Sequence, residues 1–154
     1  MAIEIRKVDN DRDFRHLHDL YIEYEGGLPP DLRHGPVPDA AALRDACSGT
    51  GAAFIATSEG TAIGCVAVTA VDRDTGLLRH LFVTPESRGL GAARSLVTAA
   101  IALSRARGFR RVVLDTEKEQ LNAAYLLYRS LGFEECAPHG VVDYASPTFM
   151  ELLL

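Results

Sequence analysis

The stretch TPESRGLGAARSL, Thr84–Leu96, joins two elements of different type and decides how the chain is interpreted. It follows the apolar run GLLRHLFV (Gly76–Val83), which is typical of a strand, and leads into an alanine-rich segment with helical spacing that stops at Gly108. The first four N–H groups of a helix lack intrahelical partners, and the helix dipole is positive there. Glycines at that point let a ligand approach the backbone. The stretch therefore predicts either a plain turn or an anion-binding loop.

The local pattern fits two common nucleotide-binding loops poorly. No Gly-Lys-Ser/Thr follows the glycines, so the stretch is not a P-loop. Arg94 stands where a dinucleotide-binding fingerprint has its third glycine. On the local pattern alone, the plain turn and the anion-binding loop are about equally supported, because short glycine motifs are weak evidence.

Hydrophobic periodicity on both sides of this stretch predicts the remaining elements. The first part of the chain contains a strand at Ile3–Val8, a helix that ends at Gly26–Gly27 and has its apolar stripe at Phe14, Leu17, Tyr21 and Tyr24, and a proline-rich loop at Leu28–Asp39. A short helix then runs from its cap Asp39 to about Ala46, followed by two strands joined at Glu59–Gly60 and by the strand Gly76–Val83. The last part contains a helix that starts near Gly89, a strand in RRVVLDT, a helix that ends at Gly132, and two strands in FEEC and TFMELLL. The order β-α-α-β-β-β-α-β-α-β-β predicts one mixed α/β domain over residues 1–154.

Composition excludes several classes of protein. The 154 residues carry a net charge of −5, so the chain as a whole is not marked as a nucleic-acid binder. The charged N-terminus and the lack of an apolar run of ~20 residues predict a soluble, cytoplasmic protein with no membrane partner. Cys47, Cys65 and Cys136 are odd in number and widely spaced, which favours three small buried residues over a disulfide or a metal site.

Two segments resemble the GNAT acetyltransferase superfamily. The run Arg88-Gly89-Leu90-Gly91-Ala92-Ala93 matches the family signature Arg/Gln-x-x-Gly-x-Gly/Ala, and AAYLLYRSLGFEE (Ala123–Glu135) is similar to the family helix that ends in Leu-Tyr-x-x-x-Gly-Phe. The order of elements matches the family fold over nearly all of the chain. The resemblance implies a central, mostly antiparallel sheet that is splayed between its fourth and fifth strands.

The resemblance also implies a site for acetyl-CoA as cosubstrate, with no metal. The pyrophosphate would bind the backbone N–H groups of Arg88, Gly89, Leu90, Gly91, Ala92 and Ala93, the pantetheine arm would pair with the backbone of Leu81, Phe82 and Val83, and Asn122 would contact the cofactor. Tyr128 would be the general acid at the sulfur. Its hydroxyl, with an ordinary pKa of ~10, can protonate a leaving thiolate whose pKa is near ~8.5. Without the resemblance, Tyr128 is interpreted as a core residue of its helix.

The base that deprotonates an amine is not identified. Many family members carry a glutamate on the fourth strand where this chain has Leu77. His80 lies on the same strand, but strict alternation predicts that it faces away from Leu77. The other candidates are Asp115, Glu117, Glu23 and Glu25, each of which is also explained as a surface charge.

The acceptor pocket of such a protein would be built from the loop Gly26–Asp39, the segment Ala137–Thr148 and the ends of the fourth and fifth strands. Arg33, His34, His139 and Asp143 are its candidate selectivity residues. The leading hypothesis is an N-acetyltransferase acting on a small amine, an amino acid or a peptide amine. The alternatives are acetylation of a protein lysine or N-terminus and an acyl-CoA sensor without turnover. A homodimer formed through edge strands is expected by analogy.

Overall fold

A computed structural model describes residues 2–154 and places seven strands in one sheet with helices on both of its faces. In chain order the elements are β1 (Ile3–Lys7), α1 (Asp11–Gly27), α2 (Ala40–Ala46), β2 (Ala52–Ser58), β3 (Thr61–Asp72), β4 (Thr75–Val83), α3 (Ala92–Ala106), β5 (Arg111–Thr116), α4 (Asn122–Ser130), β6 (Glu134–Glu135) and β7 (Thr148–Leu153). Short 3₁₀ turns lie at Pro30–Leu32 and Pro85–Ser87. The predicted order of elements is confirmed.

Helix boundaries follow the capping residues. The Asp39 side chain accepts a hydrogen bond from the N–H of Ala42 at 2.9 Å, so the predicted cap of α2 is confirmed. Helix α3 begins at Ala92, three residues later than expected. The cause is the backbone of Gly89 and Gly91, whose φ angles of 84° and 89° are left-handed and cannot continue a right-handed helix.

The sheet is antiparallel except where β4 meets β5. Its strand order is β1-β2-β3-β4-β5-β7-β6, and the parallel pair is held only by Thr75, Gly76 and Leu77, with Leu77 opposite Val113. Beyond that point β4 continues to Val83 without pairing to β5. The predicted splay between the fourth and fifth strands is therefore confirmed.

Two apolar clusters hold the helices to the sheet. On one face α3 packs through Leu96, Val97 and Ala100 against strand residues that include Leu78 and Val112. On the other face α1 and α2 pack against β2 and β3 through a second cluster that contains Phe14, Leu17, Leu20 and Leu43. Where β4 and β5 separate, no strand pairing closes the gap between them.

No helix within residues 2–154 is long and apolar enough to cross a bilayer, and the cytoplasmic location stays a prediction. Cys65 is buried, as expected, whereas Cys47 and Cys136 are only half-buried. All three are free thiols. In the same part of the chain, no group of three or more His, Cys, Asp or Glu side chains could hold a metal ion.

Candidate functional site

A cavity of about 720 Å³, called the slot below, lies where β4 and β5 separate. Nine of the ten residues predicted to bind the cofactor line it, namely Leu81, Phe82, Val83, Arg88, Gly89, Gly91, Ala92, Ala93 and Asn122. Leu90 is the exception, since it does not line the slot and its side chain is 49% exposed. The volume falls within the range of about 300–1,000 Å³ that is typical of small-molecule sites.

The strand wall of the slot is an unpaired sheet edge. Strand β4 makes no ladder with β5 after Leu77, although it pairs again with β3 at Phe82 and Val83. Backbone N–H and C=O groups of Leu81–Val83 that point toward β5 therefore have no strand partner. Such an edge can accept an extended ligand as an added strand.

The loop wall of the slot is the segment between Val83 and α3. A Cβ atom added at Gly89 or Gly91 would meet no atom within 4 Å, so space for a ligand is open at both positions. Glycine is favoured there because the backbone has a left-handed φ. Gly91 caps α3 without any side-chain hydrogen bond. The Arg88 Nε donates to the carbonyl of Val83 at 3.0 Å, which fixes the loop to the end of β4. These residues fit a phosphate group.

Several residues of the slot were missed by the sequence analysis. Tyr24 and Gln120 line it, as does Arg94, which also donates to the Ser130 hydroxyl at 2.8 Å. Gly27–Pro29, which were predicted as part of the acceptor pocket, line the slot as well. The Gln120 side chain donates to Asp31 at 3.1 Å and so joins the turn before α4 to the proline-rich loop. The only signal for Tyr24 was its place on the apolar stripe of α1, which favours a core residue.

Tyr128 lies next to the slot but not on its surface. The side chain is 7% exposed and its ring centroid is 5.7 Å from that of Phe133, whereas Ala124 and Leu127 on the same helix line the slot. Burial raises the pKa of Tyr128 well above its ordinary value, and nearby Tyr24 and Asp115 raise it further. The hydroxyl therefore keeps its proton at neutral pH.

A bulge in β4 overturns the expectation that His80 faces away from Leu77. Arg79 pairs with Ala67 and Phe82 pairs with Cys65, so β4 has one residue more than β3 between these two pairs. Within the bulge, His80 has a left-handed φ of 57°. The extra residue turns the His80 ring toward α1, where it stacks on Tyr21 with ring centroids 4.4 Å apart. Burial lowers the pKa of His80 to about 4, helped by Arg79 and His34, so the imidazole is neutral at pH 7.

The candidate carboxylates differ in what they contact. Glu25 accepts from the His34 backbone N–H at 3.0 Å and lies 2.7 Å from the His34 Nδ1, and Glu117 accepts from the Gln120 N–H at 2.5 Å. Asp115 accepts from the Tyr144 hydroxyl at 2.7 Å, and burial together with this bond raises the pKa of Tyr144. Glu23 is exposed and lines neither cavity. Asp115 raises the pKa of Tyr128 and, like Glu23, lines neither cavity.

A second cavity of about 300 Å³, called the side cavity below, lies between α1, α2 and the adjacent face of β3 and β4. Its polar lining consists of Tyr21, Tyr24, Glu25, His34, Thr69, Arg79 and His80. Tyr24 lines both cavities, and its ring centroid is 5.9 Å from that of Phe82 in the slot. The two cavities thus share a wall.

Of the four predicted selectivity residues, His34 alone lines the slot or the side cavity. Arg33 donates through Nε to the carbonyl of Leu28 at 3.2 Å, and the His139 Nε2 lies 2.9 Å from the carbonyl of Leu114. Asp143 is exposed and lines neither cavity. Arg33, His139 and Asp143 therefore do not join His34 in the lining of the side cavity.

Comparison with known proteins gives the same fold and a family match. The sequence model of the Acetyltransferase (GNAT) family matches residues 14–133. An uncharacterized N-acetyltransferase of Schizosaccharomyces pombe is 37% identical over 131 residues, which cover 82% of this chain and 78% of the relative. Human N-acetyltransferase 8B is 42% identical over 87 residues, or 53% of this chain. The match spans only 38% of the length of that human protein.

Among solved structures, the Salmonella typhimurium protein yncA with its cofactor acetyl-CoA superposes with a TM-score of 0.82 at 22% identity, covering 99% of this chain and 94% of its own. A phosphinothricin acetyltransferase from Sinorhizobium meliloti in complex with acetyl-CoA superposes with a TM-score of 0.80 at 24% identity, covering 100% of this chain and 89% of its own. At these identities the likeness shows a common fold.

Proposed function

Because this chain belongs to the GNAT family of acetyltransferases, we propose that it is an acetyl-CoA-dependent N-acetyltransferase whose acceptor is the primary amine of a small molecule, an amino acid or a peptide. The observation that carries the proposal is the slot, where an unpaired strand edge meets a loop with two left-handed glycines at the start of a helix. An extended arm fits the edge and a pyrophosphate fits the loop.

The chain's own residues supply the groups that acetyl transfer requires. The amine nitrogen forms a bond to the thioester carbon, the carbon–sulfur bond breaks, and the amine gives up one proton. In the proposed reaction, the buried Tyr128 hydroxyl donates a proton to the leaving sulfur. Asp115, on β5, is our candidate for accepting the amine proton through water, since it lines neither cavity itself.

Two features favour the catalytic proposal over an acyl-CoA sensor. A proton-bearing tyrosine adjoins the slot, and a sensor needs none. The side cavity adjoins the slot through Tyr24, which gives a second substrate a place to bind. A small cavity of about 300 Å³ favours a small-molecule acceptor over a protein lysine or N-terminus.

The homodimer formed through edge strands also remains a proposal, which analytical ultracentrifugation of the purified chain would test.

The test is release of free thiol from acetyl-CoA across a panel of amines, by the natural chain and by Tyr128→Phe. We expect Tyr128→Phe to lower kcat by about 10²–10³-fold with little change in the KM for acetyl-CoA, because a hydrogen-bond donor at the sulfur acts in the transition state. Tyr125→Phe is the matched control, since that hydroxyl bonds Glu135 at the surface and should leave kcat unchanged.

Each outcome of this test discriminates among the proposals. Thiol release with an unchanged kcat in Tyr128→Phe would remove the acid role from this residue. Tight acetyl-CoA binding with no thiol released by any amine would favour the sensor. Failure to bind acetyl-CoA at all would contradict the proposed function itself.

A further inference from the structure

The side cavity carries opposite charges that do not pair with each other. The Glu25 carboxylate is held by His34 at one part of the wall, and the Arg79 guanidinium lies at another. Within residues 2–154, the exposed Arg79 forms no ion pair with any carboxylate within 4.0 Å, whereas the Glu25 carboxylate pairs with His34. A cavity with an uncompensated cation and a separate anion is complementary to a ligand that bears both charges.

The β4 bulge brings His80 to the face of the sheet that Arg79 occupies. Arg79 pairs in regular register with Ala67, which also lines the side cavity, and the extra residue turns His80 to that same face. In a regular strand these neighbours would point to opposite faces. The exposed Arg79 guanidinium therefore lies beside a neutral imidazole at the rim of a cavity whose other walls are mainly the apolar residues of α1 and α2.

The remaining walls limit the ligand's size and direction. About 300 Å³ is at the lower end of the range for small-molecule sites, and Val37 and Pro38 of the proline-rich loop cover the cavity from one side. Tyr24 is the residue through which the side cavity adjoins the slot, and Glu25 is its neighbour in the chain. Both residues line the side cavity.

From this arrangement we propose that the side cavity is the acceptor site and that its substrate class is a compact amine with a carboxylate, such as a free α-amino acid. The carboxylate binds Arg79, and the amine lies beside Glu25 and Tyr24, facing the slot. This inference rests on the proposed function, and it narrows the acceptor from any primary amine to one that also carries an anionic group.

The experiment compares matched acceptors that differ only in the carboxylate. Free L-amino acids and the corresponding L-amino acid amides are assayed for thiol release from acetyl-CoA with the natural chain, Arg79→Gln and Arg73→Gln. Arg73 is exposed in the turn between β3 and β4 and lines neither cavity, so it is the control for loss of one positive charge. Calorimetry with acetyl-CoA alone is run on all three proteins.

We expect at least one free amino acid to exceed its amide by about 10-fold or more in kcat/KM, as a charge-assisted hydrogen bond predicts. Arg79→Gln should remove that preference by raising the KM for the acid, with the amide changed less than about two-fold. Arg73→Gln should behave as the natural chain. Acetyl-CoA affinity should be equal in all three.

The failures of the two proposals can be told apart. Amides that react as well as acids, an equal effect of Arg79→Gln on both, or acetyl-CoA binding without reaction of any acid would each overturn this inference and leave the cofactor site intact. Absence of acetyl-CoA binding in the natural chain would overturn the proposed function and this inference with it.

Discussion

Gly91 and Gly108 share a left-handed backbone but differ in position, which makes them a matched pair. Their φ angles are 89° and 81°, yet only Gly91 lines the slot. We predict that Gly91→Glu weakens acetyl-CoA binding by about 30-fold or more, because it adds bulk and negative charge where backbone N–H groups would face a phosphate. Isothermal titration calorimetry measures this effect.

The control for this prediction is Gly108→Glu, which introduces the same residue at a similar φ beyond the end of α3. It should lose stability to a similar degree while its acetyl-CoA affinity is unchanged. Equal loss of affinity in both variants would mean that strain, and not the phosphate site, is responsible.

His80 should make the stability of the chain depend on pH. Burial beside Arg79 and His34 lowers its pKa from the ordinary 6.5 to about 4. The unfolded chain therefore binds a proton as pH falls below about 6.5, but the folded chain does not until about pH 4. Stability is fully present above pH 6.5 and is lost over that window, by at most about 3.5 kcal/mol at 1.4 kcal/mol per pH unit.

The measurement is urea unfolding at pH 7 and pH 4.5 for the natural chain, His80→Gln and His18→Gln. His18 lies at the surface of α1, with its Nδ1 2.9 Å from the carbonyl of Pro38, and is the control. Between pH 7 and pH 4.5, His80→Gln should lose less unfolding free energy than the natural chain, whereas His18→Gln should lose as much as the natural chain. Identical pH dependence in all three would assign the titration to other groups.

At the scale of elements, β1 and α1 are joined by one buried ion pair. The Asp13 side chain is fully buried and accepts from Arg6 at 2.7 and 3.2 Å, while Arg6 remains half-exposed. Arg6→Met leaves the carboxylate buried without its cation, with only the Asn10 side-chain amide, which donates to it at 3.3 Å, as partner. We predict a loss of about 1–3 kcal/mol in the free energy of unfolding.

Chemical unfolding checks this prediction against Arg110→Met. The Arg110 side chain is 85% exposed and 3.9 Å from Asp74, so its removal should cost less than about 1 kcal/mol. Equal losses of unfolding free energy in the two variants would show that Arg6 contributes little to stability and that water can hydrogen-bond the Asp13 carboxylate in its place.

The elements themselves follow from local sequence, whereas some of their details do not. Periodicity and caps locate each helix and strand, because the pattern that predicts an amphipathic element is the pattern that buries it. The β4 bulge is different. Nothing in the composition of LLRHLFV marks the extra residue at His80, since the distortion arises from pairing with β3, so strict alternation predicts the wrong face.

Over the whole molecule, the two halves of the candidate site differ in how far sequence predicts them. The slot is built mainly from one continuous region, β4 to α4, whose motifs are local and resemble a family. The side cavity combines α1, the proline-rich loop, α2 and the bulged strand, which meet only after folding. Tyr24 and Arg79 were therefore missed, because their partners are distant in the chain.

Binding at the slot should stabilise the chain as a whole, because a ligand that binds only the folded state shifts the equilibrium by RT ln(1 + [L]/Kd). At 100 times Kd this is about 2.7 kcal/mol, and for a chain of about 150 residues each kcal/mol raises Tm by about 2–4 °C. We predict that acetyl-CoA raises Tm by about 5–10 °C, measured by differential scanning calorimetry. Gly91→Glu should reduce the rise to about a third or less at the same concentration, whereas Arg79→Gln should preserve it, since Arg79 lines only the side cavity. A rise that survives in Gly91→Glu would place the cofactor elsewhere on the fold.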